Sequence, residues 1–442
     1  MSLARALLGR PRRDRADVLS FQSSQLRRLV SHAYRNVPYY RSLFDAHGIR
    51  PADIRTAADM QLLPVTSKRD MQVLPVDAVV ARGTDPTKLI ARRTTGSTGE
   101  PLTIRRSYLE ELVLGAFRKR ALQAYGWRRT DLQAEIEEVE ARHPRDHQRL
   151  QRVLHAAGLH RRISLHALLP VEEIVRKLRK ARPTVVTGYA AVLARVGEAM
   201  QGDDLPPLRP RFVATHSEVL TPLMRRQIIE GFGAPVFTLY DSYEMHLIAW
   251  ECGETGQLHT CDDSVLVEIV RDGRPVGIGE RGDVVATALH SLAMPFLRYA
   301  IGDIATRGAD ACSCGAPFAT LQTVQGRMFD YFPLPGGRLL HPYEIIALLG
   351  DKHAWIRQYQ LIQEQRDRIV LRVAPSAPPS AAQLEVVASA IRRLLGTEVR
   401  LIVDLVDDLP AEPSSKFRVC RSLVRSEYDG IDWSATGSAS PR

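Results

Sequence analysis

The 442-residue chain lacks the features of secreted and membrane-spanning proteins. Its five cysteines are an odd number, which argues against a framework of disulfide bonds. No apolar run approaches the roughly 20 residues that cross a bilayer, and no secretory apolar segment stands near the N-terminus. We therefore expect a cytoplasmic protein without stable membrane insertion. With 45% apolar and 25% charged residues, the chain can bury several globular cores, and two or three domains are expected.

Lysine is also scarce. The net charge of +10 comes almost entirely from arginine, because the chain contains only seven lysines. Basic residues are spread along the chain and interleaved with acidic ones, and both zinc-finger spacing and the aromatic signature of RNA-binding sheets are missing. We therefore predict no nucleic-acid partner. A diffuse positive charge serves equally well to attract anionic small molecules.

The most distinctive stretch of the chain lies between Arg93 and Leu102. It combines hydroxyl side chains with two glycines, in the order Thr94, Thr95, Gly96, Ser97, Thr98 and Gly99. Glycine lets the backbone turn sharply and approach a ligand, and successive N–H groups with nearby hydroxyls form an anion site. This chemistry suits a polyphosphate, although the Gly-Lys-Ser/Thr ending of a Walker loop is missing. A polar hairpin tip is the alternative interpretation.

From residue 170 onward, predicted strands alternate with predicted helices, as is typical of a parallel α/β sheet. The strands are predicted at 184–187, 211–215 and 235–240, and the helices at 171–182, 190–200 and 221–231. Ligands bind at the carboxyl ends of such strands, so polar residues that follow them are candidate site residues. Two groups of residues fall at such strand ends: His216, Ser217 and Glu218, and Asp241, Ser242, Tyr243 and Glu244.

The flanking regions have other patterns. Residues 20–75 and 109–125 are predicted to be helical, while the charge-rich segment 135–162 favours a solvated helical face, with metal binding by its histidines as the alternative. Residues 264–300 are rich in strand signals, including 296–299. After a boundary near residue 326, the remaining chain predicts a compact α+β module with a helix at 381–395.

Six polar motifs follow one another in a fixed order along the chain. They are the turn at 94–99, Ser217-Glu218, the segment 240–244, the segment 298–303, Gly326-Arg327 and the segment 415–418. This order resembles the adenylate-forming superfamily of acyl-coenzyme A synthetases, peptide-synthetase adenylation domains and luciferases. The segments 38–41, 63–66 and 182–189 look like its phenylacetate–coenzyme A ligase branch. The resemblance covers nearly the whole chain.

The resemblance implies an α/β fold in two domains. Residues 1–326 would form a large N-terminal adenylation domain that binds ATP and the acid, with parallel α/β sheets and a strand-rich subdomain. Residues 327–442 would form a small mobile α+β lid domain. The resemblance implies that Asp303 takes the ribose hydroxyls, that Glu244 helps to hold Mg²⁺, and that Lys416 bridges the carboxylate and the α-phosphate.

The other implied nucleotide contacts come from several motifs. The turn at 94–99 would hold the β- and γ-phosphates, and Ser217 and Glu218 lie where the family contacts adenine. Tyr240, Asp241 and Arg327 complete the implied set of cofactor-binding residues. Tyr189, His216 and Tyr243 are assigned to the wall of the substrate pocket.

Some positions depart from the family pattern. Asp241 stands in place of a glycine, Tyr243 in place of Ser or Thr, and Ser415 in place of a glycine. Glu100 stands where a Lys is common, and Phe329 occupies the usual hinge position. Glu100, Asp241 and Phe329 motivate an alternative in which the chain is a degenerate, non-catalytic binding member of the family.

The cysteines form a second pattern. Cys252, Cys312 and Cys314, together with His259, provide four soft ligands in two nearby pairs, which suits tetrahedral Zn²⁺ in a structural role. Cys261 is a substitute for His259 in this set, and buried free thiols are the alternative to any metal.

The resemblance implies ATP-dependent adenylation of a carboxylic acid, with an aryl or arylacetic acid as the first expectation. The acyl group would pass to coenzyme A in an AMP-forming acid–thiol ligase reaction. An amide ligase with an amine acceptor is the alternative. A homodimer is compatible with the sequence, which does not determine the oligomeric state.

Overall fold

A computed structural model describes residues 14–93, 102–137, 158–202, 205–327, 332–337, 339–340, 345, 348–349, 353–409 and 419–424. The helices are Arg15–Asn36, Pro38–Ala46, Lys68–Gln72, Val76–Val79, Tyr108–Ala124, Val171–Ala181, Ala190–Gln201, Pro222–Phe232 and Ala381–Leu395. Short 3₁₀ turns lie at Pro51–Asp53, Ala57–Leu62, Pro86–Lys88 and Pro335–Gly337.

The strands are numbered in chain order. They are β1 Ile90–Arg93, β2 Thr103–Arg106, β3 Leu132–Glu137, β4 Arg161–His166, β5 Val185–Tyr189, β6 Phe212–His216, β7 Val236–Ser242, β8 His246–Glu251, β9 Leu258–Thr260, β10 Val265–Arg271, β11 Arg274–Pro275, β12 Arg281–Ala288, β13 Tyr299–Arg307, β14 Thr320–Arg327, β15 Phe332–Pro333, β16 Leu339–Leu340, β17 Ile356–Gln365, β18 Arg368–Pro375, β19 Arg400–Leu405 and β20 Cys420–Ser422.

The chain divides into two compact units. Unit 1 comprises the described residues up to Arg128 and from Phe237 to Val324, and unit 2 comprises those of 129–236 and 325–431. The domain boundary at 326/327 stays a prediction.

Unit 1 contains the strand-rich region that the sequence predicts. Its sheet has the strand order β11-β10-β12-β13-β14-β9-β8-β7. The strands β10, β12 and β13 pair antiparallel, as do β7, β8 and β9. The separate hairpin β1–β2 pairs antiparallel with Arg93 opposite Thr103.

The N-terminal helices of unit 1 cover its core. The apolar face of Arg15–Asn36 buries Leu26, Leu29 and Val30 completely. The next helix contributes Tyr40, whose hydroxyl donates to the carbonyl of Pro295 at 3.0 Å and accepts from the N–H of Leu297 at 2.9 Å. The polar end of a buried tyrosine thus fixes the chain that leads into β13.

The start of β13 differs from the prediction. We predicted a strand at 296–299, but the observed strand begins at Tyr299, because Arg298 adopts φ = 47° and breaks the extended backbone. The buried guanidinium of Arg298 donates to the carbonyls of Leu63 and Gly273 at 2.5 and 2.7 Å. The N–H of Thr66 donates to the carbonyl of Arg298 at 2.9 Å, and the carbonyl of Thr66 accepts from the N–H of Ala300 at 2.8 Å. Arg298 is therefore the point at which three chain segments meet at the entry to β13.

Unit 2 contains the predicted parallel α/β sheet. The strand order is β6-β5-β3-β4, and each neighbouring pair is parallel. The helices Val171–Ala181, Ala190–Gln201 and Pro222–Phe232 lie between successive strands, as predicted from the alternation. One buried cluster includes Ile174, Leu193 and Ile228, one from each of these helices.

The structure of the charge-rich segment 135–162 differs from the prediction. We predicted a helical face over 135–162, but its described ends belong to strands β3 and β4, and residues 138–157 lie outside the described residues. The polar side chains are compatible with a sheet because they bind one another. Glu135 accepts from Gln133 at 3.0 Å and pairs with Arg162 at 3.0 Å, while Ala134 and Ile136 are fully buried.

The C-terminal part of unit 2 is the α+β module predicted from the sequence. Its four strands have the order β19-β18-β17-β20, with β17 and β18 antiparallel and the outer pairs parallel. The helix Ala381–Leu395 begins at a capping box formed by Ser380 and Gln383, and it buries Val387 and Ile391. In the described residues, no helix is both long and apolar enough to span a membrane.

Two helices of unit 2 cross at a pair of glycines. A Cβ atom added at Gly231 would lie 2.0 Å from the carbonyl oxygen of Gly197, and one added at Gly197 would lie 2.6 Å from the carbonyl oxygen of Gln227. Because these are backbone atoms, the neighbouring chain has no side chain that could rotate away. The helices Ala190–Gln201 and Pro222–Phe232 therefore touch backbone to backbone.

This crossing makes a stability prediction. Gly231→Ala should lower the free energy of unfolding by about 2 kcal/mol or more, because the new methyl group forces the helices apart. The control is Gly115→Ala, at a helical glycine whose added Cβ would meet nothing within 4 Å. That control should stabilise by roughly 0.5–1 kcal/mol through helix propensity. Thermal unfolding followed by circular dichroism measures the stability of both variants. Equal melting temperatures for Gly231→Ala and Gly115→Ala would contradict the close contact between the two helices.

Candidate active site

The glycine-rich turn is linked to a β hairpin. Residues 94–101 lie outside the described residues, so the positions of Thr94, Thr95, Gly96, Ser97, Thr98 and Gly99 stay predictions. The strands on either side, β1 and β2, are paired along their full length. The hydroxyl-rich segment therefore connects the two strands of a hairpin.

The last residue of this hairpin binds the backbone of the predicted segment 240–244. Arg106, the last residue of β2, is 3% exposed and donates to the carbonyls of Tyr243 and Glu244 at 2.5 and 2.7 Å. Glu111 pairs with the same guanidinium at 3.4 Å. Arg106 is not among the site residues predicted from the sequence. Its place at the end of the strand that follows the glycine-rich turn is the one signal that could have drawn attention to it.

The Glu244 side chain lies beside β13. Its carboxylate accepts from the hydroxyl of Tyr299 at 3.2 Å, and Tyr299 is 1% exposed. Glu244 itself is half-buried. One carboxylate oxygen is thus oriented by a buried phenol, and the backbone is clamped by the Arg106 guanidinium. A carboxylate held in this way suits a hard divalent cation.

Tyr240 and Asp303, both predicted from the sequence, are brought together. The Tyr240 hydroxyl donates to the Asp303 carboxylate at 2.7 Å, across β7 and β13. Together with the contact between Glu244 and Tyr299, this bond joins the segment 240–244 to the segment 299–303 at two points. Each segment contributes one carboxylate and one tyrosine to these two bonds.

Asp241 has a partner on a neighbouring helix. Its carboxylate accepts a hydrogen bond from Arg118 of the helix Tyr108–Ala124, and both side chains are largely removed from water. The negative charge of Asp241 is therefore compensated by a cation from the same unit. Sequence reasoning missed Arg118, which looks like one of many basic residues in that helix.

A histidine follows this segment. Desolvation, together with the nearby guanidinium groups of Arg106 and Arg118, lowers the pKa of His246 to about 3. Its imidazole is neutral at physiological pH, since protonation would place a third positive charge beside two arginines. His246 therefore does not compete electrostatically with a cation bound by Glu244.

In unit 2, the predicted substrate residues lie at the carboxyl ends of adjacent parallel strands. Tyr189 ends β5 and is paired in register with His216, which ends β6. Their rings make an edge-to-face contact with centroids 5.6 Å apart, and both side chains are buried. The Nε2 atom of His216 lies 3.8 Å from the carboxylate of Glu137 at the end of β3. Glu137 was not identified from the sequence.

Ser217 and Glu218 follow directly. Ser217 has φ = 64°, and its hydroxyl lies 3.0 Å from Nδ1 of His216. The Glu218 carboxylate accepts from the N–H of Ala191 at 2.9 Å, at the start of the helix Ala190–Gln201. Glu218 therefore caps this helix and places a negative charge at the positive end of its dipole.

The four predicted zinc ligands of unit 1 also come together. One ligand atom from each of Cys252, His259, Cys312 and Cys314 lies within 4.8 Å of every other. Cys261, the predicted substitute for His259, is bound elsewhere, since its sulfur accepts from Arg120 at 3.4 Å. Burial raises the pKa of the Cys261 thiol far above its usual value.

The remaining predicted residues cannot be placed. Lys416 lies outside the described residues, as do Phe329, Asp330 and Ser415 around the hinge and the lysine. Arg327 is the last residue of β14, and only its backbone is described. The roles assigned to these residues stay predictions.

The fold is that of adenylate-forming coenzyme A ligases. It matches 2-hydroxyisobutyryl–coenzyme A ligase, solved in the postadenylation state with R3-HIB-AMP, with a TM-score of 0.76 and 22% identity over 92% of this chain and 89% of that chain. An open conformation of the same ligase with 2-HIB-AMP and coenzyme A gives a TM-score of 0.63 and 20% identity over 93% and 92% of the two chains. At this level of identity the likeness shows the fold alone.

Phenylacetate–coenzyme A ligases are similar to this chain in sequence. The phenylacetate–coenzyme A ligase of Thermus thermophilus is 26% identical over 385 residues, which cover 82% of this chain and 83% of the relative. The Escherichia coli enzyme of the same name is 26% identical over 307 residues, 65% of this chain and 67% of the relative. Residues 335–422 match the CapK C-terminal domain. Phenylacetate–coenzyme A ligases are therefore homologues of this chain, and the resemblance predicted from its sequence is confirmed.

The helix cap makes a prediction at Glu218. Glu218→Ala should destabilise the fold by about 1 kcal/mol, because the N–H of Ala191 loses its acceptor and the helix dipole loses its counter-charge. Glu218→Gln keeps an acceptor oxygen and should lose less. Glu230→Ala, at an exposed carboxylate near the end of the helix Pro222–Phe232, is the matched control. Melting temperatures that fall equally for Glu218→Ala and Glu230→Ala would show that the cap contributes nothing.

Proposed function

We propose that this protein is an ATP- and Mg²⁺-dependent ligase that adenylates a carboxylic acid and transfers the acyl group to coenzyme A. The observation that carries the proposal is the two-point contact in unit 1, where Tyr240 binds Asp303 and Tyr299 binds Glu244. It brings two strand segments with separate predicted roles in nucleotide binding into one bonded arrangement. The homology to phenylacetate–coenzyme A ligases supports the same reaction class.

Under this proposal each carboxylate has its own task. Asp303 accepts from the ribose hydroxyls, and the Tyr240 hydroxyl keeps its carboxylate oriented. Glu244 would hold Mg²⁺, which supplies charge neutralisation at the phosphates when bound. The geometry fits this use, because one Glu244 oxygen accepts from Tyr299 and neutral His246 adds no positive charge. Ser217 and Glu218 serve adenine, and the hydroxyl-rich turn serves the terminal phosphates.

Lys416 would act on the reacting atoms. Its ammonium group would lie between the attacking carboxylate oxygen and the α-phosphate, where negative charge accumulates during displacement of pyrophosphate. The match of residues 335–422 to a C-terminal domain model includes this lysine and the whole α+β module. Rotation of that module between the two half-reactions is part of the proposal and follows from the family resemblance.

The substrate class follows from the relatives and from unit 2. We assign an aryl or arylacetic acid, because the homologues are named for phenylacetate. The edge-to-face pair of Tyr189 and His216 offers an aromatic wall of the kind that packs against such a ring. Coenzyme A is the proposed acceptor, and the related 2-hydroxyisobutyryl–coenzyme A ligase has been solved with coenzyme A and an acyl-AMP ligand.

Pyrophosphate exchange into ATP tests the adenylation step. Phenylacetate and substituted benzoates should each be offered with ATP and Mg²⁺, and exchange should depend on the acid. Lys416→Ala should reduce the exchange rate on the order of a hundredfold, because the charge that stabilises the transition state is lost. Lys88→Ala removes an exposed lysine whose side chain is 83% accessible, and it should leave exchange unchanged. No exchange with any acid, in protein shown to bind ATP, would overturn the proposal.

The same reaction mixtures identify the acceptor. Addition of coenzyme A should convert the adenylate into a thioester that mass spectrometry detects. Formation of an amide from an added amine, without a thioester, would instead establish the amide-ligase alternative.

Glu244 makes a prediction about metal dependence. Glu244→Gln should raise the Mg²⁺ concentration needed for half-maximal exchange by roughly tenfold or more, since the amide lacks the charge that binds the cation. Glu385→Gln, at an exposed carboxylate of the C-terminal module, is the control and should keep the wild-type Mg²⁺ curve. A Glu244→Gln curve that superposes on the wild-type curve would remove Glu244 from the metal site.

A further inference from the structure

We propose that Cys252, His259, Cys312 and Cys314 form a closed structural zinc site in unit 1. Their ligand atoms lie within 4.8 Å of one another, and three of the four residues are buried. This proposal rests on the geometry of the cluster and does not depend on the proposed ligase activity.

The distances fit a tetrahedral zinc ion. Bonds of about 2.3 Å to sulfur and about 2.0 Å to nitrogen place neighbouring ligand atoms about 3.5–3.8 Å apart in a tetrahedron. The sulfur atoms of Cys252 and Cys312 are 4.0 Å apart, and the sulfur of Cys314 lies 3.4 Å from Nε2 of His259. A disulfide needs sulfur atoms about 2.05 Å apart, roughly half of the observed separation.

The backbone shapes the first half of the site. Cys252 directly follows β8, where its N–H donates to Gln257 at 2.7 Å and its carbonyl accepts from Gly256 at 3.0 Å. This tight turn leads into β9, which carries His259. The His259 ring contacts Trp250 edge to face, with centroids 5.3 Å apart, so an apolar wall lies behind this ligand.

The second half is a glycine-containing knuckle between β13 and β14. Gly315 has φ = 87°, a conformation that favours glycine, and its N–H donates to the carbonyl of Cys312 at 3.1 Å. This turn sets the sulfurs of Cys312 and Cys314 on the same side. Because β14 pairs with β9, with Thr320 opposite His259, the knuckle folds back over the histidine.

The ligand set defines the role of the metal. Three thiolates and one imidazole fill all four positions of tetrahedral zinc, so no position is left for a water or a substrate. The ion would fasten the loop between β13 and β14 to the turn between β8 and β9. Asp303 lies on β13, and Glu244 lies two residues before β8 begins, so the ion would join the chain that follows β13 to the chain that follows β8.

Metal content tests the proposal directly. Full-length protein, purified without an affinity tag that binds metal and without added zinc, should contain about one zinc per chain by plasma mass spectrometry. Cys314→Ser and Cys252→Ser should each lower this content by at least roughly tenfold and lower the melting temperature. Cys420→Ser, in the C-terminal module, and Cys261→Ser, two residues after His259 but bound to Arg120, are matched controls that should keep the zinc.

A second measurement covers variants that fail to fold. Treatment of the wild-type protein with a strong chelator should release one zinc per chain and lower its melting temperature, and replacement by Co²⁺ should give the visible absorption of a tetrahedral thiolate site. Folded wild-type protein without zinc, equal zinc in Cys314→Ser and Cys420→Ser, or a Cys252–Cys312 disulfide found by peptide mapping would each overturn the proposal.

Discussion

Two hydrogen bonds between the segments 240–244 and 299–303 are the constraint on which the candidate site of unit 1 depends. Each bond joins a tyrosine hydroxyl to a carboxylate, and the two segments exchange these roles. A carboxylate that accepts a hydrogen bond from a tyrosine hydroxyl keeps its orientation. Arg106 and Arg298 then hold the backbone at one end of each segment. The orientation of both carboxylates is therefore set by the tyrosine hydroxyls that donate to them.

Much of this arrangement could be predicted from the sequence. Short apolar runs that end in polar residues identified β5, β6 and β7, and the register of β5 with β6 places Tyr189 beside His216 as parallel strands require. The strand predictions succeeded because each depends on a local period or on the common edge of a parallel sheet. The Cys/His cluster was indicated by ligand chemistry instead, because Cys252 and Cys312 lie 60 residues apart in the sequence.

The parts that sequence reasoning missed depend on distant partners. Arg106 meets Glu244 across 138 residues, and Arg118 meets Asp241 across 123. In a chain with so many arginines, nothing local separates these two from exposed ones. The strand β3 was missed for a related reason, since Glu135 looks solvated until its partner Arg162 is known to lie on the neighbouring strand. In each case the arginine binds a partner that is distant in the sequence, so the residues next to it in the sequence do not indicate its role.

The pair formed by Asp241 and Arg118 has a consequence for how this chain can diverge. A carboxylate at 241 and a guanidinium at 118 neutralise each other in a place with little water, so loss of either deprives the other of this neutralising contact. Single substitutions at these two positions are therefore disfavoured, whereas a joint change to two neutral residues is tolerated. Among related chains, the identity of residue 241 should be inherited together with that of a helical residue more than a hundred positions earlier.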